Sequence, residues 1–281
     1  NLGLLTAVVG WDDLVVSDNR NHASLIDGIR LTGARKVVYP HGDVEAIGAA
    51  LRQPRAGRAF VVTESVFSMD GDLAPLAELV DVAERHGALV LVDEAHATGL
   101  YGKRGAGRVE ELGLSQRVLA TVHTGGKALG SSGAWVAGSR LLVDTLAQTA
   151  RSFIFTTAPM PALTAALGAA LDIMAAEPER RAEVHRKARL LRGALAAAGT
   201  VVPEQVSPIL PLAVGANDAA VALQEALLAE GFDCRAVRPP TVPPGTARLR
   251  VTVRAPVADA DLLRFAEAAG RLLPAPAAVA R

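Results

Sequence analysis

Along the first half of the chain, short apolar runs rich in β-branched residues alternate with longer runs whose apolar positions recur at helical spacing. That alternation marks a parallel sheet covered by helices, because strands buried on both faces read as nearly continuous apolar stretches. The strands it predicts are DLVVSD, KVVYP, RAFVVTE, ALVLVDEAH, RVLATVHT and GAWVAG. Between them fall three helices. HASLIDGIRLTG is closed by Gly33, DVEAIGAALRQ follows, and PLAELVDVAERHG has Pro75 at its start and Gly87 just past its end. After residue 150 the text turns to long Ala/Leu/Arg helices, PALTAALGAALDIMAAE and ERRAEVHRKARLLRGALAAAG. A smaller part follows: strand SPILPLAV, helix DAAVALQEALLAEG, strands FDCRAVR and ARLRVTV, and helix DADLLRFAEAAGRLL. The expected fold is α/β, with a large, mostly parallel-sheet domain bearing helices on both faces over 1–172. A smaller C-terminal α+β domain covers 173–281.

Composition narrows the classes. The 281 residues carry 29 basic and 29 acidic side chains and no basic block, so no nucleic-acid partner is expected. The apolar runs break well short of a membrane span, so no membrane association is expected either. One cysteine, Cys234, leaves no disulfide framework within the chain and no cysteine-based zinc site, and no metal is expected. These features lead us to expect a cytoplasmic protein. The opening NLGLLTAVV, without methionine and already helix-like, reads as the inside of a longer protein, and the Ala-rich PAPAAVAR as a frayed tail.

In open α/β sheets, ligands bind beyond the C-terminal strand ends. That rule singles out Asp18 and His22, Glu64 and Ser68, Asp93 and His96, and Thr124 with Lys127. Lys127, one of only four lysines, sits in HTGGKALGSSGAW among glycines and small hydroxyl residues. A lysine can clamp phosphate as a cation or act as an amine. A magnesium-nucleotide loop needs Gly-x-x-x-x-Gly-Lys-Ser/Thr, but here Thr121 stands at the first glycine and Ala128 follows the lysine. YGKRGAG has the wrong spacing for a dinucleotide fingerprint. The amine survives, and the usual carbonyl partner for such a lysine is pyridoxal 5'-phosphate, which needs an acid facing its ring nitrogen. Asp93 suits that task, or it caps the following turn. Taken singly, His22 reads as a surface residue at a helix start and Ser68 as a turn residue satisfying backbone groups.

Six stretches then carry a family resemblance: NHASLIDGIRLTGA, TESVFSMDGDLAPL, LVDEAHATGLYGKRGAG, GGKALGSSGAWVAGSR, RSFIFTTAPMP and RPPTVPPGTARLRVT. In this order they resemble the α-oxoamine synthases, fold type I pyridoxal 5'-phosphate enzymes, over essentially the whole chain. The resemblance implies that Lys127 holds the cofactor as a Schiff base and later moves the substrate α-proton. It implies Asp93 at the pyridine nitrogen, His96 at the ring oxygen, and His22 stacked on the ring, where it also senses substrate. Ser68 and Thr124 would give hydroxyls to the cofactor, and Thr157 would reach the phosphate of a neighbouring subunit's cofactor, implying a homodimer. Arg250 would take the amino-acid carboxylate, with Thr241 nearby.

The implied reaction is a decarboxylative condensation of L-alanine with pimeloyl-CoA, or with a pimeloyl acyl carrier protein, in biotin synthesis. Other members of the family that use glycine (glycine C-acetyltransferase among them) or serine, and a non-catalytic homologous subunit, are the alternatives. Two residues depart from the family pattern. Gly125 stands where relatives carry a bulky apolar residue, and relatives rarely have histidine at the position of His123. In relatives, the segment preceding residue 1 adds a glycine and an aromatic residue at the cofactor.

Overall fold

Strands and helices of the computed structural model, which describes residues 1–205 and 207–273, alternate as the apolar pattern requires. The Ala-rich tail PAPAAVAR lies outside the described residues. Six strands form one sheet: β1 (Leu14–Asp18), β2 (Arg35–Tyr39), β3 (Ala59–Glu64), β4 (Ala88–Asp93), β5 (Ala120–Thr124) and β6 (Ala134–Gly138). Their order is β2-β1-β3-β4-β5-β6, with β1 to β5 parallel and β6 antiparallel to β5. Each predicted strand is present within a few residues of its expected ends.

Alternation along the strands divides the apolar side chains between two faces. Val15, Phe60, Val62, Leu91 and Val122 pack with Leu4 and Leu5 of α1 (Leu2–Val8), Leu25 and Ile29 of α2 (Ala23–Thr32), and Leu142. Leu14, Val16, Val61, Val90 and Val92 pack on the other side, against α3 (Val44–Leu51) and α4 (Leu76–Arg85). Helices therefore do cover both faces. Gly33 closes α2 in the left-handed conformation, φ 70°, as its position in the sequence predicts.

Three helices of this part have no counterpart in the sequence reading: α5 (Arg108–Glu111), α6 (Arg140–Thr149) and α7 (Arg151–Ile154). Leu142, the residue just placed in the α1–α2 cluster, belongs to α6. The last helix, α8 (Pro161–Ala176), has no buried residue.

The rest of the chain builds a three-stranded antiparallel sheet in the order β7-β9-β8, from β7 (Ile209–Gly215), β8 (Arg235–Val237) and β9 (Ala247–Thr252). Its core joins Leu210, Leu212 and Leu249 to Leu191 and Leu195 of α9 (Glu179–Ala197), Leu223 and Leu227 of α10 (Asn217–Ala229), and Phe265 of α11 (Asp259–Leu272). This is the expected smaller α+β domain.

The chain divides into two compact units at Pro178, not at the expected 172, which falls inside α8. A second difference is a short excursion. Ser68–Asp72 belongs with the second unit, while the chain on either side of it belongs to the first. Its turn fits there because Gly71, at φ +70°, leaves no side chain where a Cβ would strike the Ile209 carbonyl oxygen. Asp70 and Arg248 form an ion pair in the same unit. Among the described residues no helix is long and apolar enough to cross a membrane, and no cluster of His, Cys, Asp or Glu could hold a metal ion.

Candidate active site

The strand order reverses between β1 and β3, and at such a switch point the connecting segments leave in opposite directions and open a crevice at the strand ends. His22 and Glu64 lie at this crevice. The His22 backbone N–H donates to Glu64 Oε1 at 2.6 Å, bridging the two strand ends. His22 is also the N-cap of α2: its Nδ1 accepts from the Ser24 N–H at 3.2 Å, leaving the exposed ring at the helix start.

One strand over, Asp93 is directly opposite Glu64 in the β3–β4 register. By strand alternation both belong to the face covered by α1 and α2. Asp93 is buried. Its Oδ1 accepts from the Ala95 N–H at 2.8 Å and its Oδ2 from Asn1 Nδ2 at 2.7 Å. The sequence left Asp93 as either a turn cap or a ligand acid; the fold shows the turn cap through Oδ1, while Oδ2 is met by Asn1. Burial, and then the Asp93 carboxylate, push Glu64 up from 4.5 to about 8, while the nearby Lys127 ammonium pulls the other way.

Thr124 ends β5 on that same face. Its Oγ1 is buried without a hydrogen-bond partner, the kind of orphaned group that a ligand satisfies. Lys127 is exposed in the loop that follows, which is closed by Gly125 N–H to the Gly133 carbonyl (2.9 Å) and Ser131 N–H to the Gly125 carbonyl (2.8 Å). The packing behind Lys127 is tight despite the missing side chain. A Cβ on Gly125 would lie 2.8 Å from the Ser132 carbonyl oxygen and 3.0 Å from Leu167 Cδ1. Lys187 is a useful contrast. It is buried, but its Nζ is occupied by the Ala255 and Val257 carbonyls at 2.5 and 2.6 Å and by Glu183. Of these two lysines, Lys127 is the one in a loop that follows a strand end of the large sheet.

His96 is half-buried in the turn after β4. Thr157 is exposed in the segment between α7 and α8. Ser68 groups with the second unit, as noted above. In that unit Arg250 lies on β9 with its Nε buried and unpartnered, and burial lowers its pKa. Arg235, its register partner on β8, turns to Asp233 instead. A desolvated guanidinium of this kind suits a carboxylate ligand. Thr241 is exposed and its N–H donates to the Arg238 carbonyl at 3.0 Å.

Three residues of this region have surroundings that the sequence does not give. Glu64 was singled out only as a strand-end acid, without a role. Glu94 is fully buried as a structural anchor, accepting from Ser65 Oγ (2.5 Å) and from the Arg108 and Val109 N–H groups. His123 is buried and stacks on Trp135, with ring centroids 5.3 Å apart.

The loop that carries Lys127 thus follows the strand beside the one that ends in the buried Asp93. The chain belongs to the class I and II aminotransferase family, in its α-oxoamine synthase branch, and the family's sequence profile matches residues 1–268. It is similar to 8-amino-7-oxononanoate synthase of Anaeromyxobacter dehalogenans, 48% identical over 275 residues, covering 98% of this chain and 69% of that protein. A serine palmitoyltransferase variant from S. paucimobilis, solved with a bound PLP–myriocin aldimine, superposes with a TM-score of 0.92 at 33% identity. The match covers 97% of this chain and 70% of that one. The 8-amino-7-oxononanoate synthase of Francisella tularensis gives a TM-score of 0.84 at 26% identity, covering 96% and 78%.

Proposed function

We propose that the protein is a pyridoxal 5'-phosphate-dependent acyltransferase that makes 8-amino-7-oxononanoate from L-alanine and a pimeloyl thioester, in biotin synthesis. The observation that carries this reading is the 48% identity to a synthase of that name across nearly the whole chain. Overlay alone would favour serine palmitoyltransferase, with its higher TM-score, but backbone likeness reports the scaffold, and substrate choice lies in side chains.

The residues present fit the cofactor: an amine, a buried carboxylate on the adjacent strand end, and an orphaned buried hydroxyl. When bound, pyridoxal 5'-phosphate supplies a carbonyl for amine capture and a ring that accepts an electron pair. Lys127 Nζ would hold it, then take the α-proton of alanine and return it to the product. The Asp93 carboxylate would keep a proton on the pyridine nitrogen. His22 would lie on the ring face, and His96, Thr124 and Ser68 would hydrogen-bond its substituents. Arg250, with Thr241, would hold the amino-acid carboxylate. Net, alanine loses its carboxylate as carbon dioxide and keeps one α-hydrogen, one carbon–carbon bond forms, the carbon–sulfur bond of the thioester breaks, and one proton is taken up by the departing thiol.

A homodimer completes the proposal. The exposed Phe153, Ile154, Phe155, Met160 and Leu163, on α7, α8 and the segment between them, support a face for a second copy, to which Thr157 would belong. The thiol carrier is CoA or an acyl carrier protein, and a cytoplasmic setting suits a chain with one cysteine and balanced charge. Incubation with alanine, glycine or serine, each with pimeloyl-CoA, acetyl-CoA and palmitoyl-CoA, tests the reading. Product from alanine and pimeloyl-CoA is expected. Product only from glycine with acetyl-CoA, or only from serine with palmitoyl-CoA, would overturn it.

A further inference from the structure

His123 sits one residue before Thr124, on the opposite face of β5 by strand alternation, and departs from the family pattern. Both of its ring nitrogens are engaged: Nδ1 lies 2.8 Å from Thr98 Oγ1 and Nε2 2.8 Å from Thr121 Oγ1. Trp135, its register partner on β6, covers one ring face with the planes 13° apart.

The bonding fixes the tautomer. Thr98 has one hydroxyl hydrogen, and it goes to the Glu94 carbonyl at 2.8 Å. The Thr98 oxygen can therefore only accept from the ring, which places the proton on Nδ1 and leaves Nε2 to accept the Thr121 O–H. A single direction results: Thr121 hydroxyl to His123, His123 to Thr98, Thr98 to the Glu94 carbonyl. Burial pushes the imidazole down to about 4, so it stays neutral and the direction does not invert at ordinary pH.

The chain of bonds ends on the turn that follows β4. The first residue of that turn is already tied to β5, because the Glu94 N–H donates to the Val122 carbonyl at 2.8 Å. The His123–Thr98 bond ties its far end. Asp93 immediately precedes the segment bracketed in this way, and His96 is at its middle. We propose that His123 is a positioning residue: its Nδ1–H clamps the 94–98 turn to β5 and so sets Asp93 and His96 against the loop that carries Lys127. The consequence for the cofactor rests on the functional reading above, whereas the clamp itself does not.

The test separates the two ring nitrogens. The amide of His123→Asn can occupy the Nδ1 position and donate to Thr98. That of His123→Gln reaches the Nε2 position and keeps only Thr121, and His123→Val keeps neither. One net buried hydrogen bond is worth about a factor of five to ten in an equilibrium. In the full chain without added cofactor, hydrogen–deuterium exchange at 95–98 is expected to speed about five- to tenfold in the Gln and Val variants. The Asn variant should stay within about threefold of wild type, and the affinity for pyridoxal 5'-phosphate should follow the same order. Should a variant at 123 not fold, Thr98→Val must reproduce the Gln result and Thr98→Ser must restore wild type. Equal behaviour of Asn and Gln, or wild-type exchange in all variants, overturns the clamp. A wild-type chain that takes up no cofactor at Lys127, read by borohydride fixation and mass spectrometry, overturns the functional reading, while exchange still decides the clamp.

Discussion

Replacing Glu64 by Gln should leave the protein nearly unchanged in acid and make it more stable than wild type in mild alkali. Glu64 is 3% exposed, and burial, followed by the Asp93 carboxylate opposite it, raises it from 4.5 to about 8. Below pH 4.5 the carboxyl is protonated in both folded and unfolded chains, and its favourable share of stability is fully present. Between 4.5 and 8 the unfolded chain releases the proton and the folded chain keeps it, so stability falls as pH rises. Above 8 the loss is complete and amounts to on the order of 5 kcal/mol. Glutamine preserves the volume and still offers an oxygen to the His22 N–H, but it never titrates. Urea unfolding of both proteins without added cofactor, from pH 4.5 to 8.5, measures the difference. His123, held down to about 4, makes stability fall toward acid, but it is common to both proteins and cancels. The advantage of Glu64→Gln should therefore grow steadily with pH. An advantage that is constant across the range would refute the argument that this carboxyl is neutral in the fold.

Arg250→Met should leave the urea midpoint unchanged or raise it, because the Nε is buried with no partner to lose, while the KM for alanine rises by about tenfold or more. A lowered midpoint with an unchanged KM would mean that the guanidinium serves the fold instead. Gly125→Val should cost about 1–3 kcal/mol by overpacking, since the nearest obstacle to its Cβ is backbone, the Ser132 carbonyl 2.8 Å away. Thermal unfolding reads this out, and a variant as stable as wild type would show that the Lys127 loop can shift to make room.

Much of this was legible in sequence. The four inner strands of the large sheet announced themselves because burial on both faces leaves apolar runs such as FVV and LVLV, and the exposed edge strands β2 and β6 were still marked by their β-branched residues. The strand-end rule singled out Asp93, Thr124 and Lys127 without any tertiary information, and the fold puts the first two at strand ends and the third in the loop after β5. What stayed hidden has physical reasons. Helix α7 spans only four residues, too few to show an apolar stripe, and in α6 the adjacent Leu141 and Leu142 part company only in the fold, the first 77% exposed and the second buried. The role of His123 depends on Thr98 and Trp135, which come together only in the fold. Glu94 looked like the charged end of a strand, and only the return of the chain at Arg108 and Val109 reveals why a buried carboxylate is tolerated there. Ser68 was read with the large domain because of its place in the sequence, and no local pattern signals that five residues leave one unit for the other.

That excursion has a bearing on how the protein can be taken apart. The second unit is not a continuous stretch of chain, because Ser68–Asp72 arrives more than a hundred residues before the remainder. A gene fragment beginning at residue 179 would encode Arg248 without Asp70, and would leave the Ser207–Ile209 edge without the turn that Gly71 allows to rest there. On the ribosome the same five residues emerge long before the strand they settle on. Dissection into halves would therefore cut through one unit, and a covalent rearrangement that brings 68–72 beside 179 is the cut that would respect both.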